Sequence, residues 1–524
     1  MAAESLQSYL GGRWQRGQGI ETRLYDPARG EELATVSAAG LDLNEALTFA
    51  REHGQVALSA MNYAQRAKLL GEAADVLAKN RARYEEIAIA NSGNTKADAA
   101  IDIDGGIGTL KYYARLGAGL GDAGMLLDEK PVRLAKAENY AAVHVLVPRR
   151  GVAVHINAFN FPSWGLWEKA AVALLAGMPV LAKPASATAL LAYAMVKDVI
   201  AAKVLPDGAL NLLCGGIGAL LDALSSEDVV AFTGSAETAA RVRGNAHLLA
   251  MSVPVNIEAD SINAALLAPG VSAGSAAYDA FLREVMREMT VKAGQKCTAI
   301  RRIFVPAEEA NGVADALTGK LKAIKVGDPR DADVRMGPLV TREQQSAAFA
   351  GIRRLAQEAS ILCGAPDAPA LAGIDTKAAA FVLPTLLKVN DAASAKAVHA
   401  VEVFGPAATI VPYRDEPEAC ALVRRGGGSL VASVYGDDPD FLLRLVREIG
   451  PFHGRILAVD PVIATTHTGH GIVMPQCNHG GPGRAGAGAE LGGLFGLRFY
   501  HQRLAVQGST DLLNRLQGKA ATLH

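Results

Sequence analysis

The stretch GVAVHINAFNFPSWGLWEKAAVALLAGMPVLAKPA, residues 151–185, decides the fold class. Its pattern predicts an apolar strand at 151–157, a helix at 164–178 and a second apolar strand at 179–185. The alternation continues outward with a predicted helix at 187–204 and predicted strands at 209–215, 229–235 and 253–259. Short apolar strands that alternate with helices are typical of a doubly wound parallel sheet, so the predicted fold class is α/β.

Length, charge and the N-terminal sequence limit the possible functions. A chain of 524 residues is too long for one hydrophobic core, and we expect two or three domains. The formal net charge of −1 excludes a whole-protein field that would attract nucleic acid or an anionic membrane. The opening MAAESLQSYL lacks a signal-peptide pattern, and the longest apolar run, AAVALLAGMPVLA, is too short to span a bilayer. We therefore expect a cytoplasmic protein without nucleic-acid or membrane partners, whose cysteines are thiols.

The cysteine spacing argues against a structural metal site. The cysteines are Cys214, Cys297, Cys363, Cys420 and Cys477. They form no C-x-x-C pair, and the nearest approach to a zinc pattern is Cys477 with His479. No metal site is predicted, and a small buried apolar role is the ordinary expectation for a free cysteine.

Cys297, in the stretch KAGQKCTAI (292–300), is the exception. A helix predicted at 277–294 ends just before it, so the thiol lies in a turn. Lys292 and Lys296 are the cationic groups that we expect to favour its thiolate. The sequence therefore makes Cys297 a candidate nucleophile.

Two predicted strand ends supply the partners that a nucleophile needs. The segment NAFNFP (157–162) presents Asn160, and VNIEADS (255–261) presents Glu258. Both follow strands, at the edge of a parallel sheet where sites form. Taken singly, Asn160 could cap a helix and Glu258 could be a solvated strand end. Together with Cys297 they predict a nucleophile, an oxyanion donor and a base.

The segment GPGRAG (481–486) matches the glycine pattern of dinucleotide-binding loops. That motif must follow a strand and open a helix within a βαβ unit. No such unit is predicted around this glycine-rich run. We expect a mobile or ligand-facing loop instead.

The chain resembles the aldehyde dehydrogenase superfamily over nearly its whole length. The resemblance rests on NAFNFP, LAKPAS, FTGS, the glutamate of VNIEADS, GQKC and EVFGP, in that order. The segments EADSINAALL and HGGPGRAGAGAELGGL are similar to the members that act on CoA thioesters in aerobic aromatic degradation. In one respect the chain departs from the superfamily pattern, because Ala259 to Asn263 lack the usual glycine pair after the base.

The resemblance implies a Rossmann-like cofactor domain, an α/β catalytic domain and a small β-ribbon arm for oligomerisation. The implied boundaries are 1–137 for the N-terminal part of the cofactor-binding domain, 138–150 for a bridging ribbon, 151–261 for the Rossmann-like domain, 262–460 for the catalytic domain and 461–524 for the C-terminal return and oligomerisation segment. The ribbon and residues 497–508 resemble bridging arms with exposed strand edges. We expect a homodimer, or a dimer of dimers.

The resemblance also implies roles for individual residues. Cys297 would attack the aldehyde to give a thiohemiacetal, and the Asn160 amide and the backbone N–H of Cys297 would stabilise the oxyanion. Glu258 would activate water against the resulting thioester and is also a candidate to deprotonate the thiol. The residues expected to bind the cofactor are Lys183 and Ser186 at the adenosine ribose, Phe232, Thr233, Gly234 and Ser235 at the pyrophosphate, and Glu402, Phe404 and Phe159 near the nicotinamide.

Ser186 indicates which cofactor is used. NAD-preferring members of the superfamily commonly have a glutamate at this position, and its charge repels a 2′-phosphate. Serine removes that repulsion, while Lys183, and Arg241 or Arg243 on the next helix, could supply positive charge. The plain alternative is that Ser186 caps a helix beginning at Ala187. The expected cofactor is NADP.

The expected reaction is the oxidation of an aldehyde to its acid with NADP and water. The resemblance implies a CoA-linked substrate, 3,4-dehydroadipyl-CoA semialdehyde of benzoate degradation. One alternative is a CoA-acylating dehydrogenase, against which Glu258 argues because such enzymes usually lack this base. Others are a dehydrogenase of free medium-chain aldehydes and a non-catalytic binding protein on the same fold.

Overall fold

The computed structural model describes residues 4–371, 373–375 and 377–522. Five parallel strands form most of a first seven-stranded sheet, and two antiparallel strands from the N-terminus extend it. In spatial order the strands are Val255–Glu258, Val229–Thr233, Ala153–Ile156, Val180–Lys183, Leu210–Leu212, Ser8–Leu10 and Arg13–Gln15. The structure thus confirms the predicted α/β class.

The direction of chain progression reverses at the strand Ala153–Ile156. The strands Val180–Lys183 and Leu210–Leu212 follow on one side of it, and Val229–Thr233 and Val255–Glu258 lie on the other. Such a switch point leaves a crevice at the carboxyl ends of the strands, where open α/β sheets bind ligands. Asn160 and Glu258 both lie at this edge.

A second seven-stranded sheet follows in the chain. Its neighbouring strands are parallel except for the outermost pair at one edge. In spatial order they are Ala359–Cys363, Thr385–Val389, Ala407–Tyr413, Ile300–Pro306, Asn263–Leu267, Ser429–Tyr435 and His453–Val459. Cys297 immediately precedes the central strand Ile300–Pro306 and therefore enters the site from this second sheet.

Helices pack against these sheets, and each sheet contributes to one of two large apolar cores. The helix Trp164–Ala176 is buried along nearly its whole length. The α-helices of eight or more residues are Tyr63–Lys79, Arg81–Ser92, Lys96–Gly119, Trp164–Ala176, Ala189–Ala202, Ala236–Arg243, Ala276–Thr290, Ala310–Lys322, Arg342–Leu355, Glu416–Arg424, Pro439–Ile449 and Thr510–Gln517. Among the residues that the structure describes, no helix is both long enough and apolar enough to cross a membrane.

The helix predicted at 277–294 ends earlier than expected, at Thr290. A short 3₁₀ turn follows, in which Lys292, Ala293 and Gly294 have φ values of 52°, 50° and 68°. This left-handed path costs on the order of 1 kcal/mol or more at each non-glycine residue. A Cβ on Gly294 would lie 2.3 Å from the carbonyl oxygen of Gly405. The turn therefore brings the Cys297 segment directly against the EVFGP segment.

A smaller sheet projects from this body. The strand Tyr140–Pro148 pairs antiparallel with His501–Ser509 over nine residues, from Tyr140 opposite Ser509 to Pro148 opposite His501. Met125–Leu127, Val132–Arg133 and Ala520–Thr522 complete this five-stranded sheet. His501–Ser509 is an edge strand, and the domain boundaries drawn around this arm stay predictions.

Candidate active site

The structure brings Asn160, Glu258 and Cys297 together. All three line both a cleft of about 390 Å³ on the first sheet and a smaller pocket of about 50 Å³ beside it. Asn160 and Glu258 are buried, and Cys297 is half-buried. A group held in the cleft and an aldehyde held in the pocket would therefore meet at these three side chains.

One helix, Lys96–Gly119, fixes the turns that carry Asn160 and Cys297. The Asp102 carboxylate accepts a hydrogen bond from the backbone N–H of Trp164 at 2.8 Å, which anchors the chain just after Asn160. Asp98, one turn earlier, accepts the backbone N–H of Lys292 at 2.9 Å. Both carboxylates are buried, so the two turns are held by groups that water cannot readily replace.

The backbone of Cys297 is held from a second direction. The side-chain amide of Asn263 donates to the carbonyl of Cys297 at 2.8 Å and to that of Ala299 at 2.9 Å. Arg301 donates to the carbonyl of Gly294 at 2.8 Å and to that of Gly405 at 2.7 Å. The nucleophile is thus fixed to the start of the second sheet and to the EVFGP segment.

The prediction that lysines favour the thiolate of Cys297 is wrong. Lys296 lies 2.6 Å from both carboxylate oxygens of Glu288, and Lys292 lies 3.9 Å from Asp102. Their charges are therefore directed at buried carboxylates. Burial and the negative charge of Glu258 raise the pKa of the Cys297 thiol well above its ordinary value. A base must take the proton before Cys297 can react.

Glu258 has a partner that the sequence reasoning missed. His479 Nε2 lies 3.0 Å from Glu258 Oε2, and both side chains are buried. Burial alone would raise the pKa of Glu258, but the charge and hydrogen bond of His479 outweigh it and lower the pKa to about 2. Burial alone would lower the pKa of His479, but Glu258 raises it to about 9. The two residues form a buried imidazolium–carboxylate pair.

A second ion pair stands beside the first. Lys169 Nζ lies 3.2 Å from Glu168 and 3.1 Å from Glu490. Glu490 stands directly opposite His479 in the hairpin formed by Asn478–Gly480 and Ala489–Leu491. The hairpin therefore places the His479 cation next to Glu258 and the Glu490 anion next to Lys169. Charges of opposite sign alternate through this buried group, which lowers the cost of burying each of them.

The GPGRAG loop is the connection of this hairpin, and no βαβ unit surrounds it. It packs along the strand that ends in Glu258: the backbone N–H of Ala259 donates to the carbonyl of Ala485 at 3.1 Å, and that of Gly488 to Ile257 at 3.1 Å. Arg484 donates to Asp260 at 2.8 Å. The loop thus fixes the backbone around the base, where the glycine pair of the superfamily is missing.

Most residues predicted to bind the cofactor line the larger cleft. They are Phe159, Lys183, Phe232, Thr233, Gly234, Ser235, Glu402 and Phe404. The helix Ala236–Arg243 begins at this wall, where Ser235 caps it. The free N–H groups of a helix N-terminus suit a pyrophosphate. A cleft of this size, lined by one lysine and three phenylalanines, fits a dinucleotide.

Ser186 differs in position from the other residues that were predicted to bind the cofactor. It is the first residue of a 3₁₀ turn, Ser186–Thr188, and the α-helix begins only at Ala189. The N-cap position of that helix is Thr188, so the alternative that Ser186 caps a helix beginning at Ala187 is wrong. Ser186 is half-buried but is not part of the cleft wall that Lys183 and Ala185 form.

The two arginines that were expected to supply positive charge to a 2′-phosphate interact with other groups. Arg241 pairs with Glu237 on its own helix. Arg243 donates to the carbonyl of Gly486 at 2.7 Å. Of the three cationic side chains considered, Lys183 is the one that lines the cleft.

Several site residues escaped the sequence reasoning. One visible signal was the charged pair Glu168–Lys169 inside the otherwise apolar helix 164–178, which a buried site can explain and a plain core helix cannot. His479 and Glu490 stand more than 180 residues from Cys297, and no spacing rule connects segments so far apart.

Comparison with known proteins agrees with this geometry. The profile of the "Aldehyde dehydrogenase family" matches residues 14–504. A 3,4-dehydroadipyl-CoA semialdehyde dehydrogenase of Aromatoleum evansii is 51% identical over 477 residues, covering 91% of this chain and 93% of the relative. Protein MaoC of Klebsiella aerogenes is 41% identical over 179 residues, 34% of this chain and 52% of that protein.

Two solved structures have the same fold. Betaine aldehyde dehydrogenase of Staphylococcus aureus in complex with NAD+ aligns with a TM-score of 0.82 at 23% identity, covering 97% of each chain. A 3,6-anhydro-L-galactose dehydrogenase in complex with NADP aligns with a TM-score of 0.83 at 23% identity, covering 96% of this chain and all of the other. The chain therefore belongs to the aldehyde dehydrogenase family, and it is an aldehyde-oxidising oxidoreductase.

Proposed function

We propose that the protein oxidises 3,4-dehydroadipyl-CoA semialdehyde to the corresponding acid with NADP and water. The observation that carries the proposal is the 51% identity to a dehydrogenase of that name over nearly the full length of both chains. A nucleophile, an amide and an ionised base around one small pocket supply the chemistry.

The acylation half of the reaction uses Cys297, Asn160 and Glu258. Because the resting thiol is neutral, Glu258 accepts its proton as the sulfur attacks the aldehyde carbon. The Asn160 side-chain amide and the Cys297 backbone N–H donate to the oxygen that gains negative charge, and each such donor contributes roughly 2.7–4 kcal/mol. When bound, the nicotinamide of the family cofactor supplies the hydride acceptor. The product on the enzyme is a thioester at Cys297.

The deacylation half depends on Glu258 and His479. Glu258 gives up the thiol proton to solvent once the thioester has formed, and it then accepts a proton from a water molecule whose oxygen attacks the thioester carbon. The expelled Cys297 sulfur takes this second proton back, which restores the resting thiol. A carboxylate with a pKa near 2 is a weak base. His479 therefore keeps the base ionised at the expense of its proton affinity, and deacylation is expected to limit turnover.

The family uses a nicotinamide cofactor, and the cleft favours NADP. Among the described residues that line it, the carboxylates are Glu258 and Glu402, both grouped with Cys297 and Phe404 at the catalytic end. Lys183 also lines the cleft, and it ends a strand three places along the sheet from the strand that ends in Glu258. A 2′-phosphate bound there would lie near the positive charge of Lys183, and it would face no carboxylate of the described cleft wall.

The CoA-acylating alternative is less favoured. That reaction needs a thioester protected from water, whereas a carboxylate oxygen of Glu258 lies within 4.8 Å of the Cys297 sulfur and is ionised. An ionised carboxylate next to the thioester promotes hydrolysis. We therefore assign the free acid as the product.

The test compares one semialdehyde with and without its CoA moiety. We expect the specificity constant for the CoA-linked aldehyde to exceed that of the matching free acid-aldehyde by tenfold or more, about 1.4 kcal/mol of transition-state binding. Mass spectrometry should find the acid as product even when free CoA is added. Equal specificity constants would contradict the CoA-linked substrate, and a second CoA thioester in the product would contradict hydrolysis.

The arm sheet supports a homodimer. Its strand His501–Ser509 stands at the edge of the sheet among the described strands, with Leu504 40% exposed. The next helix, Thr510–Gln517, exposes 54% of Leu512. A second copy of the chain would cover this edge and both leucines.

A further inference from the structure

Three side chains at the active site present the donor atoms that a thiophilic cation prefers. One ligand atom each from Glu258, Cys297 and His479 all lie within 4.8 Å of one another. Thiolate sulfur, imidazole nitrogen and carboxylate oxygen are the usual ligands of Zn²⁺, at about 2.0–2.3 Å from the ion. Tetrahedral ligands at these lengths stand roughly 3.3–3.8 Å apart. Small side-chain movements would therefore close the three donors on one ion.

The charge of the ligand set suits a dication. A thiolate and a carboxylate together carry two negative charges, and a neutral imidazole adds none, so one Zn²⁺ would leave no net charge in the buried site. Net charge is what a closed site resists most strongly.

One ligand atom is already free. Glu258 Oε1 is buried and has no hydrogen-bond partner among the described residues, while Oε2 contacts His479. This oxygen can gain a cation without losing a bond of its own, whereas His479 Nε2 would exchange its contact with Oε2 for the ion. The adjoining pocket of about 50 Å³ leaves a fourth position for water. Three protein ligands with one open position is the arrangement of a reactive zinc site.

The neighbouring carboxylates do not offer an equivalent site. Glu168, Glu258 and Glu490 also approach one another closely. However, Lys169 is bonded to both Glu168 and Glu490 and already supplies the cation. The donors there are oxygen alone, which suits hard cations, whereas sulfur and imidazole select soft and borderline ones.

We propose that Cys297, Glu258 and His479 form a binding site for one thiophilic divalent cation, such as Zn²⁺, which switches the enzyme off reversibly. The ion would occupy the nucleophile and the base together. Inhibition rests on the proposed roles of Cys297 and Glu258, whereas binding does not. A chelator would restore both groups, since the ion displaces only protons, which return when it is removed.

The test measures binding directly, in chelator-treated full-length enzyme without substrate. Cd²⁺ is the probe, because cadmium–thiolate bonds absorb in the ultraviolet, and calorimetry with Zn²⁺ gives the stoichiometry. We expect one ion per chain in the wild type. Cys297→Ala should abolish the absorbance, and His479→Phe should weaken binding by at least roughly tenfold. His479→Gln serves as a second variant if the phenylalanine disturbs folding.

The matched control is Cys477→Ser. Cys477 is exposed and stands two residues from His479, so it is the other thiol that could hold the ion. We expect this variant to keep full binding. Absorbance that survives in Cys297→Ala, or that disappears in Cys477→Ser, would assign the ion to the exposed thiol and overturn the proposal, as would the lack of saturable binding. A poor response to the CoA-linked aldehyde with binding intact would count against the proposed substrate alone.

Discussion

The side-chain amide of Asn263 donates to the backbone carbonyl of Cys297 at 2.8 Å. Its oxygen accepts the backbone N–H of Val431 at 3.0 Å. One buried amide thus joins the turn that carries the nucleophile to two neighbouring strands of the second sheet. Asn263 belongs to the segment in which the usual glycine pair is missing. The hydrogen bonds that hold the Cys297 turn therefore come from the part of the chain that departs from the superfamily pattern.

Asn263→Ala should loosen the nucleophile. The change leaves the carbonyls of Cys297 and Ala299 without their donor, at about 1–3 kcal/mol of stability for each buried group. We expect kcat to fall by roughly tenfold or more, while cofactor affinity stays close to wild type. Asn211→Ala is the control, because Asn211 also donates to two buried carbonyls but lies outside both cavities. Equal loss of kcat in the two variants would mean that Asn263 acts through stability alone.

The two steps at Cys297 should separate in mutants. Cys297→Ala is expected to abolish aldehyde oxidation and to leave cofactor binding nearly unchanged, as fluorescence titration can show. Glu258→Gln should give a burst of reduced cofactor followed by slow turnover, because hydrolysis of the thioester needs the base. Aldehyde turnover in the alanine variant would exclude Cys297 as the nucleophile. Wild-type turnover in the glutamine variant would exclude a base role for Glu258.

His479 should set the pH dependence of deacylation. With the imidazolium present, the pKa of Glu258 stays at about 2, so no acid limb from this residue is expected above roughly pH 5. His479→Phe removes the cation and leaves burial, which raises a carboxyl pKa. The acid limb should therefore move up by roughly 1–3 pH units.

This measurement needs chelator in every buffer, and single-turnover deacylation is the rate to follow. Glu168, Lys169 and Glu490 face the pair and are present in both proteins. His247→Phe is the control, since this histidine bonds to the carbonyl of Leu224, away from Glu258. Superimposable pH profiles for wild type and His479→Phe would show that His479 does not set the charge of Glu258.

Ser186→Glu should move the cofactor preference toward NAD. A carboxylate beside the Lys183 end of the cleft would repel a 2′-phosphate by a few kcal/mol, at an effective dielectric constant of about 20. The ratio of specificity constants for NADP over NAD should fall by at least roughly tenfold. Ser186→Gln has similar bulk without the charge and should change the ratio much less. No preference for NADP in the wild type, or no shift in the glutamate variant, would show that this position does not select the cofactor.

Sedimentation should find a dimer or a dimer of dimers at micromolar protein. Leu504→Asp and Leu512→Asp place charges on the exposed face of the arm and should lower the association constant. Leu443→Asp is the comparison, because Leu443 is 60% exposed on the helix Pro439–Ile449, outside the arm. A wild-type monomer at this concentration would contradict the proposal.

The first sheet could be predicted because the sequence pattern of each of its strands and helices lies within one short segment. Each strand and helix from residue 151 to residue 259 has its own apolar period, and their alternation is enough to predict the carboxyl edge where Asn160 and Glu258 lie. The charge environment of Cys297 was not predictable in this way. Lys292 and Lys296 are near it in sequence, but Asp102 and Glu288 determine where their charges go.

The partner of the base was beyond sequence reasoning for the same reason. Glu258 and His479 meet only because the GPGRAG loop packs along the strand that ends in Glu258. The loop matched a familiar glycine pattern, but its backbone geometry serves a hairpin. Gly486, for example, has a φ of 107°, and a Cβ there would lie 2.3 Å from the carbonyl oxygen of Ile257.

The hairpin that carries His479 and Glu490 has a consequence for the order in which the protein folds. Its link to the first sheet, between Asn256 and Glu490, spans 234 residues, and contacts so distant form slowly because the loop between them must first be closed. Until the ribosome has made this hairpin, burying Glu258 would leave its charge without His479, and burying Lys169 would leave it with Glu168 but without Glu490, which is unfavourable. The edge of the first sheet is therefore expected to stay hydrated during synthesis. A newly made chain would acquire its closed catalytic pocket among the last events of folding, after the reactive thiol has already been translated.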